Sequence, residues 1–112
     1  MPVMNERDIN TVKGMVESIV GCKWSLAVLA MVREGINRPG AMTRQQEGLT
    51  TKVLNQRLRK LQRFGILNKT AFPEVPPRVE YVFTPFGQEF LKILDVIESL
   101  EAELKEKRSP MG

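Results

Sequence analysis

Apolar residues recur along this chain at two different periods, and the changes of period mark out its elements. Ile9, Val12, Val16 and Ile19, with Met15 and Val20 beside them, step by three and four residues up to Gly21, the spacing of one helix face. Lys23 to Glu34 is apolar on most sides, which predicts a buried central helix with Trp24 at its start and Gly35 as its stop. Pro39-Gly40 is turn chemistry, and only about two turns of helix fit before Gly48, so a short helix is expected from about Ala41 to Gln46.

The sharpest segregation lies between Leu49 and Gly65. At roughly 100° per residue, Leu54, Leu58 and Leu61 fall on one stripe, while Lys52, Gln56, Arg59 and Arg63 share the opposite stripe with Asn55 at its edge. No acid interrupts that polar face. Thr50 is placed to cap the first turn and Gly65 to end the helix in a left-handed conformation. Ile66–Phe72 and Val79–Phe83 then read as strands joined by Pro73–Arg78, where three prolines stiffen an extended tip.

Thr84-Pro85 forms a cap and first-turn pair. After it, Phe86, Phe90, Ile93, Ile97, Leu100 and Leu104 follow at alternating steps of four and three, a heptad seam widened by Leu94. The polar tail from Lys105 to Gly112 is expected to fray.

With 42% hydrophobic and 27% charged residues in 112, the composition fits one globular domain rather than a disordered chain. A chain of this size gains from pairing its end helices with a partner surface, so a homodimer is expected. No apolar run reaches the roughly 18 residues of a membrane span. The first residues lack the basic-then-apolar order of a signal peptide, so a cytoplasmic location is expected. A single cysteine excludes an internal disulfide framework.

Net charge is +4, but its distribution says more than its total. From Arg33 to Val79 there are ten Lys or Arg against three acids, whereas from Glu80 onward there are four against seven. The positive field therefore sits on the middle third, as expected for a polyanion partner. Catalysis has little to work with: there is no histidine, no cluster of acids on the predicted loops, and no Gly-rich phosphate loop. No enzyme activity, metal or cofactor is expected.

The order helix, helix, short helix, basic helix, strand, stiffened loop, strand, long helix is that of a winged helix-turn-helix, mainly α with a small β-hairpin wing. Gly21–Leu26, Thr51–Leu61 and above all Pro73–Tyr81 (PEVPPRVEY) resemble three characteristic stretches of the HxlR family of bacterial transcriptional regulators. The resemblance covers roughly residues 12 to 104. It implies a cytoplasmic homodimer, paired through its first and last helices, that presents recognition helices and wings to a pseudo-palindromic operator on double-stranded DNA.

On that reading the whole chain, 1–112, is one domain. The DNA-reading part spans about 36–84 and the dimerisation helices about 8–20 and 85–105, with Ile9, Val12, Val16, Phe90, Ile93, Ile97, Leu100 and Leu104 at the interface. Two departures stand out. Pro39 and Gln46 occupy positions where family members usually anchor the third helix with an aromatic and a leucine. Redox-sensing members carry a cysteine ahead of the first helix; this chain has none there, so that mechanism is not carried across.

The first turn of a recognition helix reaches base edges, which makes Thr50, Thr51, Lys52, Asn55 and Gln56 the candidate base readers. Arg59 and Arg63 lie further along the face and, with Lys69 and Arg78 of the wing, are candidates for backbone contact. Within the wing, Arg78 is expected to face DNA and Glu80 to be tied in an intramolecular pair. Arg57, nearer the apolar stripe, is equally suited to bridging the helix to its own core. Cys22, at a helix start beside Lys23, is a candidate redox site, although a small packing residue explains it better. A small-molecule effector of unknown identity, bound between the dimer helices and wings, stays open as a partner, but no convergent polar residues mark its pocket. The rival function is a winged-helix protein-interaction module without specific DNA binding.

Overall fold

Two helix ends with the same geometry fix the frame of this molecule, whose computed structural model describes residues 11–108. At the first, Gly35 (φ 89°) lets its own amide donate to the Val32 carbonyl and that of Ile36 to Met31, at 3.1 and 2.9 Å. At the second, Gly65 (φ 75°) repeats the pattern, with Gly65 donating to Gln62 and Ile66 to Leu61. In both, the left-handed glycine satisfies carbonyls that a helix end would otherwise leave open.

The described elements run α1 (Val12–Gly21), α2 (Ser25–Arg33), α3 (Pro39–Gln45), α4 (Thr51–Arg63), β1 (Leu67–Phe72), β2 (Arg78–Phe83) and α5 (Pro85–Lys107). The strands form an antiparallel hairpin in which Leu67 faces Phe83 and Phe72 faces Arg78. The Tyr81 amide donates to the Asn37 carbonyl at 2.9 Å, so the segment before α3 lies along the open edge of β2.

Several boundaries differ from expectation for local reasons. α1 begins at Val12 because the Thr11 hydroxyl caps it, accepting from the Gly14 amide at 3.0 Å; Ile9 lies outside the described residues. α3 starts two residues early, since Pro39 occupies its first position, where a missing N–H costs nothing. Gln46 is its C-cap, and fully buried Met42 anchors the helix to the core. Arg78 is the first residue of β2 rather than part of the loop. α5 continues to Lys107, three residues into the tail expected to fray, and residues 109–112 lie outside the described part.

Leu54, Leu58 and Leu61 are fully buried, packed in one core with Ile19, Leu29 and Ile66. Burial of each is worth about 1.5 to 3 kcal/mol, which orients α4 with its polar face outward. Two backbone details were not legible beforehand. Trp24 caps α2 in a left-handed conformation (φ 78°) with Lys23 over its ring at 5.1 Å. A Cβ on Gly87 would lie 2.1 Å from the Ile66 carbonyl oxygen, so α5 starts in direct backbone contact with the entry to β1.

Candidate nucleic-acid interface

α3, the turn at Gln46–Thr50 and α4 form the helix-turn-helix, and β1, the loop and β2 form the wing. The Thr50 hydroxyl accepts from the Val53 amide at 3.1 Å, which commits the oxygen of one candidate base reader to capping. Thr51, Lys52 and Gln56 are exposed and Asn55 half-buried at the amino end of α4. Arg59 and Arg63 are exposed further along, and neither they nor Lys52 meet a carboxylate among the described residues. There is no acid anywhere between Glu47 and Glu74, so α4 itself carries no carboxylate to offset the charge.

Two further cations of α4 are engaged within the chain, and only one of them is buried. Arg57 donates from Nε to the Lys23 carbonyl at 2.9 Å, the bridging role open to it from its position near the apolar stripe. Lys60 is 7% exposed and donates from Nζ to Ser25 Oγ at 2.9 Å and to the Ser18 carbonyl at 3.2 Å. Burial pushes its ammonium below the ordinary 10.5, opposed by the neighbouring Cys22 side chain. Sequence reasoning missed Lys60. A lysine flanked by Arg59 and Leu61 reads as surface, and its partners lie on α1 and α2, more than thirty residues away.

The wing differs from expectation more sharply. Glu80 is paired internally as anticipated, but its partners include Arg78, which was expected to face DNA. Arg78 Nε lies 3.3 Å from Glu80 Oε2 and Nη2 lies 3.3 Å from Glu74 Oε1, while the guanidinium stacks on the Phe72 ring at 4.1 Å. The Nε contact is an ion pair without hydrogen-bond geometry. Arg38, the α3 N-cap, also reaches Glu80 Oε2 with Nε and Nη2, both at 3.3 Å. Lys69 is exposed and has no carboxylate partner among the described residues. Val75 at the wing tip is fully exposed.

The terminal helices carry the apolar surface. Val12 and Val20 on α1, and Val96, Leu100 and Leu104 on α5, are 43 to 58% exposed. Val16, Ile93 and Ile97 are half-buried along an apolar cleft between α1, α2 and α5. Phe90, expected at an interface, is instead 6% exposed: with Leu94 it fills the core of its own domain. The Arg33 guanidinium ties the end of α2 to Asp95 and Glu98 on α5. Cys22 is a free, half-buried thiol following α1, and no group of three potential metal ligands occurs among the described residues. No single described helix is long and apolar enough to cross a membrane.

Comparison with known proteins agrees with this geometry. The model of a family described as HxlR-like helix-turn-helix matches residues 19–109. The uncharacterized HTH-type transcriptional regulator sll1512 of Synechocystis sp. is 39% identical over 87 residues, a match covering 78% of this chain and 64% of that protein. YtfH of Escherichia coli, likewise an uncharacterized HTH-type transcriptional regulator, is 36% identical over 88 residues, covering 78% of this chain and 70% of its own length. The chain thus spans just under two thirds of the first relative. Among solved structures, a protein assigned to the MarR family of transcriptional regulators from Enterococcus faecalis superposes with a TM-score of 0.73 at 30% identity, over 96% of this chain and 94% of its own.

Proposed function

The chain belongs to the HxlR-like helix-turn-helix family, and on that premise we propose that it is a cytoplasmic, homodimeric transcriptional regulator that binds a pseudo-palindromic DNA operator. The observation that carries the reading is the outer face of α4. Its amino-terminal turn offers Thr51, Lys52, Asn55 and Gln56 to base edges, and Arg59 and Arg63 follow on the same face for phosphates. Asn55 or Gln56 suits bidentate pairing with adenine, and Lys52 suits guanine.

The dimer is supported by the apolar strip along α1 and α5, where Leu100 and Leu104 extend beyond the domain's own core. Val12, Val16, Ile93 and Ile97 flank the same strip. Pairing there sets two copies of α4 apart, and half-sites about one helical turn apart follow from the twofold symmetry.

Selection of bound duplexes from a random DNA pool at two salt concentrations tests the reading. Enrichment of an inverted repeat, with retention falling steeply as salt rises, is the expected result. Weak, salt-independent retention without enrichment would point to a protein-interaction module instead.

A further inference from the structure

We propose that Glu80 is a specificity-determining residue that withholds Arg38 and Arg78 from DNA phosphates. This rests on the DNA-binding reading above. Glu80 Oε2 alone lies 3.3 Å from Nε and Nη2 of Arg38 and 3.3 Å from Nε of Arg78. A carboxylate presents oxygen acceptors to a guanidinium much as a phosphate does. Glu80 therefore occupies, within the chain, the place that a phosphate would take between the two arginines.

The placement follows from the backbone. The hairpin register sets Arg78 opposite Phe72 and Glu80 opposite Thr70, on the face of the wing away from buried Leu67 and Tyr81. The Asn37–Tyr81 backbone bond brings Arg38 alongside. Glu80 is only 22% exposed, whereas Arg38 is 53% exposed, and both arginines line an open groove of about 550 Å³ between α3 and the wing. With the Glu80 charge removed, Arg38 has no carboxylate partner left among the described residues and turns toward that groove, while Arg78 keeps Glu74 and the Phe72 ring and is only loosened.

A merely structural clamp and a withheld pair of charges make opposite predictions. Loosening a clamp weakens binding to every duplex. Releasing Arg38, and loosening Arg78, strengthens binding to unselected DNA and steepens its salt dependence, because each phosphate contact adds about 0.9 to the slope of log K against log salt.

The test uses the full chain, a random-sequence duplex and the selected operator, with affinities measured across a potassium chloride series. Glu80→Gln is expected to bind the random duplex several-fold more tightly, with a slope steeper by about one to two contacts per subunit. Its ratio of operator to random affinity should fall, and adding Arg38→Ala should take back part of the extra slope. Arg38→Ala in the otherwise unchanged chain is expected to leave the slope as it was, and this arm decides the matter if Glu80→Gln does not fold. An unchanged or shallower slope in folded Glu80→Gln, or a drop of about one contact in Arg38→Ala, would overturn the proposal. If the unsubstituted chain bound no duplex in a salt-dependent way, the DNA-binding reading would fall first and this inference with it.

Discussion

The helix α4 and the wing carry the same kinds of side chain and use them differently. On the outer face of α4, Lys52, Arg59 and Arg63 have no carboxylate within reach among the described residues. In the wing, Arg78 is held by Glu74, Glu80 and the Phe72 ring, and Arg38 beside it by Glu80. A basic residue is thus available to DNA only where the fold supplies no acid, and a count of charge along the chain cannot tell the two cases apart.

Both regions depend on one junction, so the largest effect is expected there. The Ile66 carbonyl ends the turn after α4, accepts the Thr84 amide at 3.0 Å, and lies where a Cβ on Gly87 would need to be. Gly87 is helical, so alanine is locally favoured, and it is opposed chiefly by the backbone clash with Ile66, with the Phe83 ring crowded at 3.2 Å. Gly87→Ala should cost about 4 kcal/mol or more, read by denaturant unfolding, and should disturb helix and wing together. A loss below about 1 kcal/mol would mean that the two regions adjust independently of this contact.

Lys60 is the next test, because it is the one buried cation of α4. Lys60→Ala should cost about 2 to 3 kcal/mol, from lost methylene burial and from leaving Ser25 Oγ without its partner. Lys60→Met keeps the volume and removes the charge. Because burial holds Lys60 below 10.5, the unfolded chain binds more protons between the folded value and 10.5, so stability rises with pH across that window. Below the window the penalty for the charge is present in full. Tyr81, raised above 10.0 by its own burial, contributes stability that falls as pH rises from 10.0, overlapping the upper end of the Lys60 window, but does so in both proteins. The difference between wild type and Lys60→Met reports the lysine together with its interaction with Cys22; a flat difference from pH 8 to 10.5 would count against a depressed Lys60.

These cases show where the sequence was readable. The stripe of Leu54, Leu58 and Leu61, the Thr50 and Thr84 caps and the Gly35 and Gly65 stops are local patterns, and each sits where the residues place it. The roles of Lys60, Arg38 and Arg78 depend on partners brought close only by packing: Ser25 is 35 residues from Lys60 and Glu80 is 42 from Arg38. Gly87 escaped notice for the same reason, since its constraint is a carbonyl in another element. Phe90 kept the heptad spacing but lies deep enough on α5 to be consumed by its own domain.

Within α4, the amino-terminal turn and the later arginines should separate into reading and anchoring. Gln56→Ala is expected to lose about 1 to 3 kcal/mol of discrimination at one operator position while leaving random-duplex affinity nearly unchanged. Arg63→Ala should weaken all duplexes alike and lower the salt slope by about 0.9 per subunit. Competition binding with operator variants measures the first and a salt series the second. The reverse pattern would mean that α4 enters the groove by its carboxyl end.

The smallest effect should come from Lys69, the one exposed wing cation without a carboxylate partner among the described residues. If the wing's other charges are compensated internally, Lys69 sets the upper limit of its electrostatic contribution. Lys69→Ala should then lower the salt slope by no more than about 0.9 per subunit, against up to three times that for Lys52, Arg59 and Arg63 replaced together. A drop matching the triple variant would mean that the wing anchors the complex as strongly as α4, and that its internal ion pairs open when DNA binds. A drop near zero would leave the wing to act through shape, with exposed Val75 at its tip meeting the groove by apolar contact.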